Sequence, residues 1–296
     1  MPHDDLQHDF DALLPGASDG SRRSALRLML GAGYAAAAAP VLAQNAIRTS
    51  ADGLVSGEVH IDAPQGFKLP AYRAAPAGRK DLPVVLVIQE VFGVHDYIAD
   101  TCRRLARAGY LAIAPELFAR QGDPMEYGEL ARLMSELVAK VPDEQVLADL
   151  DACVRWAGAN GGNAGKVAIT GFCWGGRITW LYAAHGPVKA GVAWYGRLVG
   201  KHDAMTPRNP IDVAAQLKAP VLGLYGGDDS GIPLDTVEQM KAALAKGTPA
   251  ARTSRFVVYP DAPHAFHADY RASFRQQPAE DGWQQMLDWF ERHGVR

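Results

Sequence analysis

The chain of 296 residues carries 30 Lys and Arg against 33 Asp and Glu, a formal net charge of -3 at pH 7. Apolar residues make up 48% and charged ones 21%, a globular balance with ample material for a core. The near-neutral, dispersed charge argues against a nucleic-acid partner.

Residues 1–44 differ from the rest. A polar start with Asp4, Asp5, Asp9 and Asp11 leads to Ser21-Arg22-Arg23, followed by an alanine-rich apolar segment over 25–42 that Arg27 interrupts. Val41-Leu42-Ala43 satisfies the small-residue rule for signal cleavage. Paired arginines before a weakly hydrophobic stretch resemble a twin-arginine export signal. The expectation is recognition by the twin-arginine export machinery, cleavage after Ala43, and a periplasmic or secreted protein. Arg27, Gly31, Gly33 and Pro40 leave too short an apolar run for a stable membrane anchor.

Residues 45–296 read as a single domain of alternating strands and helices. Strands over 58–61 and 68–74 form an N-terminal antiparallel hairpin. The run 84–89 is continuously apolar, as a strand covered on both faces requires. A helix over 96–108 ends at Gly109, and a strand over 110–114 stops at Pro115. The charged stretch 125–140 is expected to be helical, and 143–159 is an amphipathic helix ahead of a turn over 160–165. A strand over 166–170 then feeds a helix over 175–184. Three further strands (190–194, 220–225, 255–259) follow, with helices over 233–246 and 280–293. This alternation predicts an α/β fold, a doubly wound and mostly parallel sheet with helices on both faces. Ligands in such sheets bind beyond the carboxyl ends of the strands.

Four strand-end segments carry candidate chemistry. Gly171-Phe172-Cys173-Trp174-Gly175 is a strand–turn–helix with cysteine where a nucleophile elbow usually holds serine. A thiol there stands over a helix N-terminus, which favours thiolate. Of the three cysteines, Cys102, Cys153 and Cys173, an odd and widely spaced set, Cys173 is the candidate reactive thiol. Gly226-Gly227-Asp228-Asp229 offers an acid, Asp229, and Pro263-His264 a base. The order nucleophile, acid, histidine is that of an α/β-hydrolase fold. Asp229 would orient the imidazole and His264 would accept the thiol proton. The fourth segment, Gln89-Glu90-Val91-Phe92-Gly93, would give the Val91 N–H to an oxyanion hole shared with the Trp174 N–H. Glu90 at an apolar strand end needs a partner, and a hydrogen bond to the cysteine is one candidate. His264 and His267 are three apart but have no third ligand nearby, so no metal site is expected.

Gln-Glu-Val-Phe-Gly-Val, the Ala114-Pro115-Glu116-Leu117-Phe118 run, Gly-Phe-Cys-Trp-Gly-Gly, Tyr-Gly-Gly-Asp-Asp and His264-Ala-Phe-His267 together resemble the dienelactone hydrolase family (carboxymethylenebutenolidases) from about residue 55 onward. The resemblance implies a cofactor-free α/β-hydrolase with Cys173, Asp229 and His264 as triad, opening a small-molecule ester or lactone. It also implies that Glu90 activates the cysteine as substrate binds. The chain departs from the pattern where family members hold a substrate carboxylate with two arginines. One matching position is Ala268, with Arg271 the next basic residue, and Arg132 is the candidate for the other. A general carboxylesterase or thioesterase on the same site is the alternative. A periplasmic binding protein with a degenerate pocket is a further one, which the intact Cys, Asp and His argue against.

Overall fold

The computed structural model describes residues 47–296; the reading of 1–44 as an export signal lies outside them. Eight strands form one sheet: β1 (Leu54–Asp62), β2 (Lys68–Pro76), β3 (Leu82–Ile88), β4 (Leu111–Pro115), β5 (Gly162–Phe172), β6 (Ala190–Trp194), β7 (Val221–Gly226) and β8 (Arg255–Tyr259). Their order is β1-β2-β4-β3-β5-β6-β7-β8. β1, β2 and β4 pair antiparallel, and from β4 through β3 to β8 every pairing is parallel. Every residue of β3 is buried, which explains its unbroken apolar sequence: helices cover both of its faces.

Among the described residues four longer helices connect strands, α1 (Asp96–Arg107), α2 (Asp143–Ala159), α3 (Trp174–His185) and α4 (Leu234–Leu244), and a fifth, α5 (Gln276–Arg292), follows β8. From β3 the chain crosses to β4 on one side, then returns over β3 to β5 on the other. Right-handed crossovers therefore put α1 and α2 on opposite faces. The order reverses at β3, so the crevice for a ligand opens between the carboxyl ends of β3 and β5. The register sets Ile88 beside Gly171 there, and Phe172 beside Trp194 on β6.

Three local expectations are corrected. Residues 125–140 are not one helix. A 3₁₀ turn (Pro124–Glu126) is followed, after extended Glu129, by a single α-turn (Leu130–Arg132), a π-turn (Leu133–Leu137) and a second 3₁₀ turn (Val138–Lys140). Leu133, Met134, Leu137 and Val138 of this stretch are buried in the core. The expected turn at 160–165 is shorter, because β5 begins at Gly162 and pairs with Leu82 across a register irregularity. Two short helices, Pro210–Val213 and Pro249–Thr253, fall in segments read as loops. Among the described residues no helix is long and apolar enough to cross a membrane.

Candidate active site

Cys173 lies between the last residue of β5 and the first of α3, at φ 55° and ψ −116°. Few non-glycine residues hold such a conformation, which costs of order 1–3 kcal/mol and persists only where its surroundings impose it. Here the Cys173 N–H donates to Trp194 O at 3.0 Å. Close packing on both sides completes the constraint. A Cβ at Gly171 would stand 2.1 Å from Gly175 O, and one at Gly175 would stand 2.5 Å from Ile88 O and 2.6 Å from Gln89 O. The glycines let β3, β5 and α3 converge beneath the thiol. Trp174 opens α3, so its N–H has no intrahelical acceptor, and the positive end of the helix dipole lies at the cysteine.

Asp229 and His264 meet as their chain order suggested. His264 Nδ1 is 2.7 Å from Asp229 Oδ2, and both side chains are buried. Asp229 Oδ1 also accepts from Gly231 N at 3.0 Å, which fixes the carboxylate, whereas Asp228 is exposed. Burial by itself would lower the His264 pKa, but the charges of Asp229 and Cys173 and hydrogen bonds to both outweigh it and raise it well above the ordinary value. A protonated imidazole beside the Asp229 carboxylate is thereby favoured. Cys173 is partly exposed, while Cys102 and Cys153 are fully buried. Burial pushes both of those thiols up, so neither is a nucleophile.

The Glu90 side chain is buried at the end of β3, but it does not hydrogen-bond the cysteine. Its Oε2 accepts from the Tyr270 hydroxyl at 2.6 Å, with His95 Nε2 at 3.6 Å and the Arg271 guanidinium at 3.7 Å. Its Oε1 has no hydrogen-bond partner among the described residues. Burial raises the Glu90 pKa, yet Arg271, His95 and Tyr270 together bring it down to about 2. Val91 follows in a turn clamped from outside. Val94 N donates to both carboxyl oxygens of Glu116 at 3.2 Å, which gives the Ala-Pro-Glu run at the end of β4 a physical task. Phe118 of the same run packs edge-on to the Trp174 indole, ring centroids 4.8 Å apart.

The two arginines part company. Arg132 is exposed at the surface and holds Glu136 through Nε at 2.9 Å and a terminal nitrogen at 2.8 Å. Arg271 stacks over the rings of Phe92 and Tyr270 beside Glu90. His267 is a core residue: its Nδ1 faces the Tyr97 hydroxyl at 2.5 Å, and its ring packs on Trp194, Phe172 and Trp283. Burial lowers its pKa to about 3. Among the described residues no group of three ligating side chains could hold a metal ion.

Tyr195, Tyr270 and His95 escaped the sequence reading. Tyr195 follows β6 at φ 40°, packs its ring 5.1 Å from that of His264, and is buried beside Tyr97, Glu90 and Cys173. Its position directly after a strand end, next to Gly196, was the one available signal. Two surface depressions of about 510 and 300 Å3 flank β8. None of their lining residues belongs to this constellation.

The dienelactone hydrolase family profile matches residues 69–294. A "Putative carboxymethylenebutenolidase" of Methylorubrum extorquens is 57% identical over 277 residues, covering 93% of this chain and 94% of that protein. One of the same description from Escherichia coli is 54% identical over 264 residues, covering 88% and 96%. A crystal structure of a "Putative Dienelactone Hydrolase" from Klebsiella pneumoniae superposes with a TM-score of 0.78 at 57% identity, covering 80% of this chain and 98% of that one. The chain has the α/β-hydrolase fold, belongs to the dienelactone hydrolase family, and is a hydrolase of ester or lactone bonds.

Proposed function

We propose that Cys173, His264 and Asp229 form a catalytic triad that opens a lactone or cleaves a small ester through a cysteinyl thioester. The convergence of the Asp229–His264 pair on the strained Cys173 carries this reading. The thiolate attacks the carbonyl carbon, and the oxyanion rests on the Val91 and Trp174 N–H groups. The C–O bond then breaks as His264 gives its proton to the leaving oxygen, which in a lactone stays attached through the acyl chain. Water that loses a proton to His264 attacks the thioester, and the returning thiolate leaves the free acid. Glu90, held by Arg271 and Tyr270 in this structure, fits activation by exchange. A substrate carboxylate that draws Arg271 away frees Glu90 to take the thiol proton. Arg132, engaged with Glu136 at the surface, has no part in this reading.

A panel of a carboxylate-bearing lactone, a neutral aryl ester and an acyl thioester tests it. We expect the lactone to be preferred in kcat/KM over the thioester by at least about tenfold. Arg271→Ala should raise KM for the carboxylate-bearing lactone about tenfold, roughly 1.4 kcal/mol, with no such rise in KM for the neutral ester. Preference for the thioester would overturn the lactone assignment in favour of the thioesterase alternative.

We also propose export through the twin-arginine machinery on the strength of Arg22-Arg23, the apolar segment and Ala43. Fractionation should recover a periplasmic or secreted chain beginning at Gln44; a full-length chain confined to the cytosol would contradict this.

A further inference from the structure

The segment 47–50 makes contacts out of proportion to its length. Thr49 N donates to Asp100 Oδ1 at 2.6 Å and Thr49 Oγ1 donates to Asp100 Oδ2 at 3.2 Å. Arg103 Nε donates back to Thr49 O at 3.1 Å, and Arg107 donates to Ser50 O at 3.1 Å. Asp100 lies on α1 and is buried, at 2% exposure. Arg104, one residue beyond Arg103, ties it to a second buried carboxylate: its Nε donates to Asp100 Oδ2 at 2.7 Å and its terminal nitrogen to Asp269. The backbone N–H of Ile47 also bonds the Asp269 carboxyl. Asp269, 1% exposed, sits in the loop that carries His264, Tyr270 and Arg271.

Burying two carboxylates is costly unless each finds donors, and leaving one with too few is strongly destabilising. Asp100 also accepts from a terminal nitrogen of Arg103 at 2.9 Å, but Asp269 has only its share of Arg104 and the Ile47 N–H among the described donors. The segment therefore adds a donor at each carboxylate and matters most at Asp269. The loop itself is held internally by few bonds, among them Ala268 N to Ala265 O, Arg271 N to Ala268 O, Phe274 N to Arg271 O and Arg275 N to Phe266 O. Its Ala265 stands at φ 58°, a conformation that outside contacts must maintain.

We propose that residues 47–50 are a positioning strap for the histidine loop. Docked on Asp100 and Asp269, they hold His264 against Asp229 and Tyr270 against Glu90, and the reactive centre is complete only while they are docked. The proposal rests on the reading of His264 and Glu90 as parts of that centre. The strap begins four residues after Ala43, so the point at which a leader would end is coupled to the geometry of the site.

Amide hydrogen exchange on the full chain, read beside turnover, tests this. Thr49→Pro removes both the N–H and the hydroxyl. It should speed exchange at Ala268, Arg271, Phe274 and Arg275 by about tenfold or more, while amides of α4 keep their protection. The kcat should fall about tenfold with KM little changed, since the loss lies in geometry at the reacting atoms. Thr49→Ala, which keeps the backbone donor, should recover most of both. Asp269→Asn, which retains an acceptor for Ile47, should disturb the loop less than Asp269→Ala. Unchanged exchange at those four amides in Thr49→Pro would overturn the strap, as would acceleration spread equally through β3 and β5. A loosened loop with undiminished turnover would instead contradict the assignment of His264 to the centre.

Discussion

Cys173→Ala is expected to lower kcat/KM toward lactone and aryl ester by at least about 10³-fold, the scale on which loss of a triad nucleophile acts. Alanine keeps the Cβ and therefore the packing that holds residue 173 at positive φ, so the folded state should survive with little change in Tm. Residual rate enhancement over water should come from the Val91 and Trp174 amides and from binding alone. No other thiol can take over. Cys102 and Cys153 are at 0% exposure in the core, on α1 and α2, and burial disfavours their thiolates. Activity within about tenfold of the native enzyme would remove Cys173 from the mechanism.

Gly171→Ala should act on folding rather than on chemistry. The added methyl would lie 2.1 Å from Gly175 O, 2.4 Å from Gly175 C and 2.8 Å from Thr179 Oγ1. Two of these three atoms are backbone of α3, so the side chain has nowhere to turn and the helix must lift from β5. Overpacking of this kind costs about 3 kcal/mol or more where rigid backbone is the obstacle. For a chain of this size that corresponds to a Tm lowered by roughly 6–12 °C. Because α3 and β5 meet at Cys173, turnover should fall with it. Gly128→Ala is the matched control, since a Cβ there meets nothing within 4 Å and the glycine does not need positive φ. Equal thermal stability of the two variants would show that the convergence of β3, β5 and α3 is looser than described.

Much of this site could be read along the chain because each part follows its own strand. Cys173, Asp229 and His264 stand just beyond β5, β7 and β8, where a parallel sheet presents its ligands. The strands themselves were legible from apolar runs such as Val84-Val85-Leu86-Val87, since burial on both faces leaves no other composition. What escaped was side-chain meeting at long range. The bond from Tyr270 to Glu90 spans 180 residues, and nothing at either position names the other. For the same reason Glu90 was expected to bond the cysteine, while the guanidinium of Arg271 and the hydroxyl of Tyr270 hold it instead. Tyr195 went unread because an aromatic after an apolar strand looks like more core. The break in 125–140 was hidden by a composition that suits a helix: extended Glu129 and the π-turn over Leu133–Leu137 leave no mark in it.

In the proposed reaction the acyl group passes through Cys173. Rapid acid quench of the enzyme with an activated aryl ester, followed by mass spectrometry of its peptides, tests this most directly. An added acyl mass is expected on the peptide containing Gly171-Phe172-Cys173-Trp174, located at Cys173 and absent from Cys173→Ala. A burst of product with that peptide unmodified, or an acyl group carried by any other residue, would contradict it.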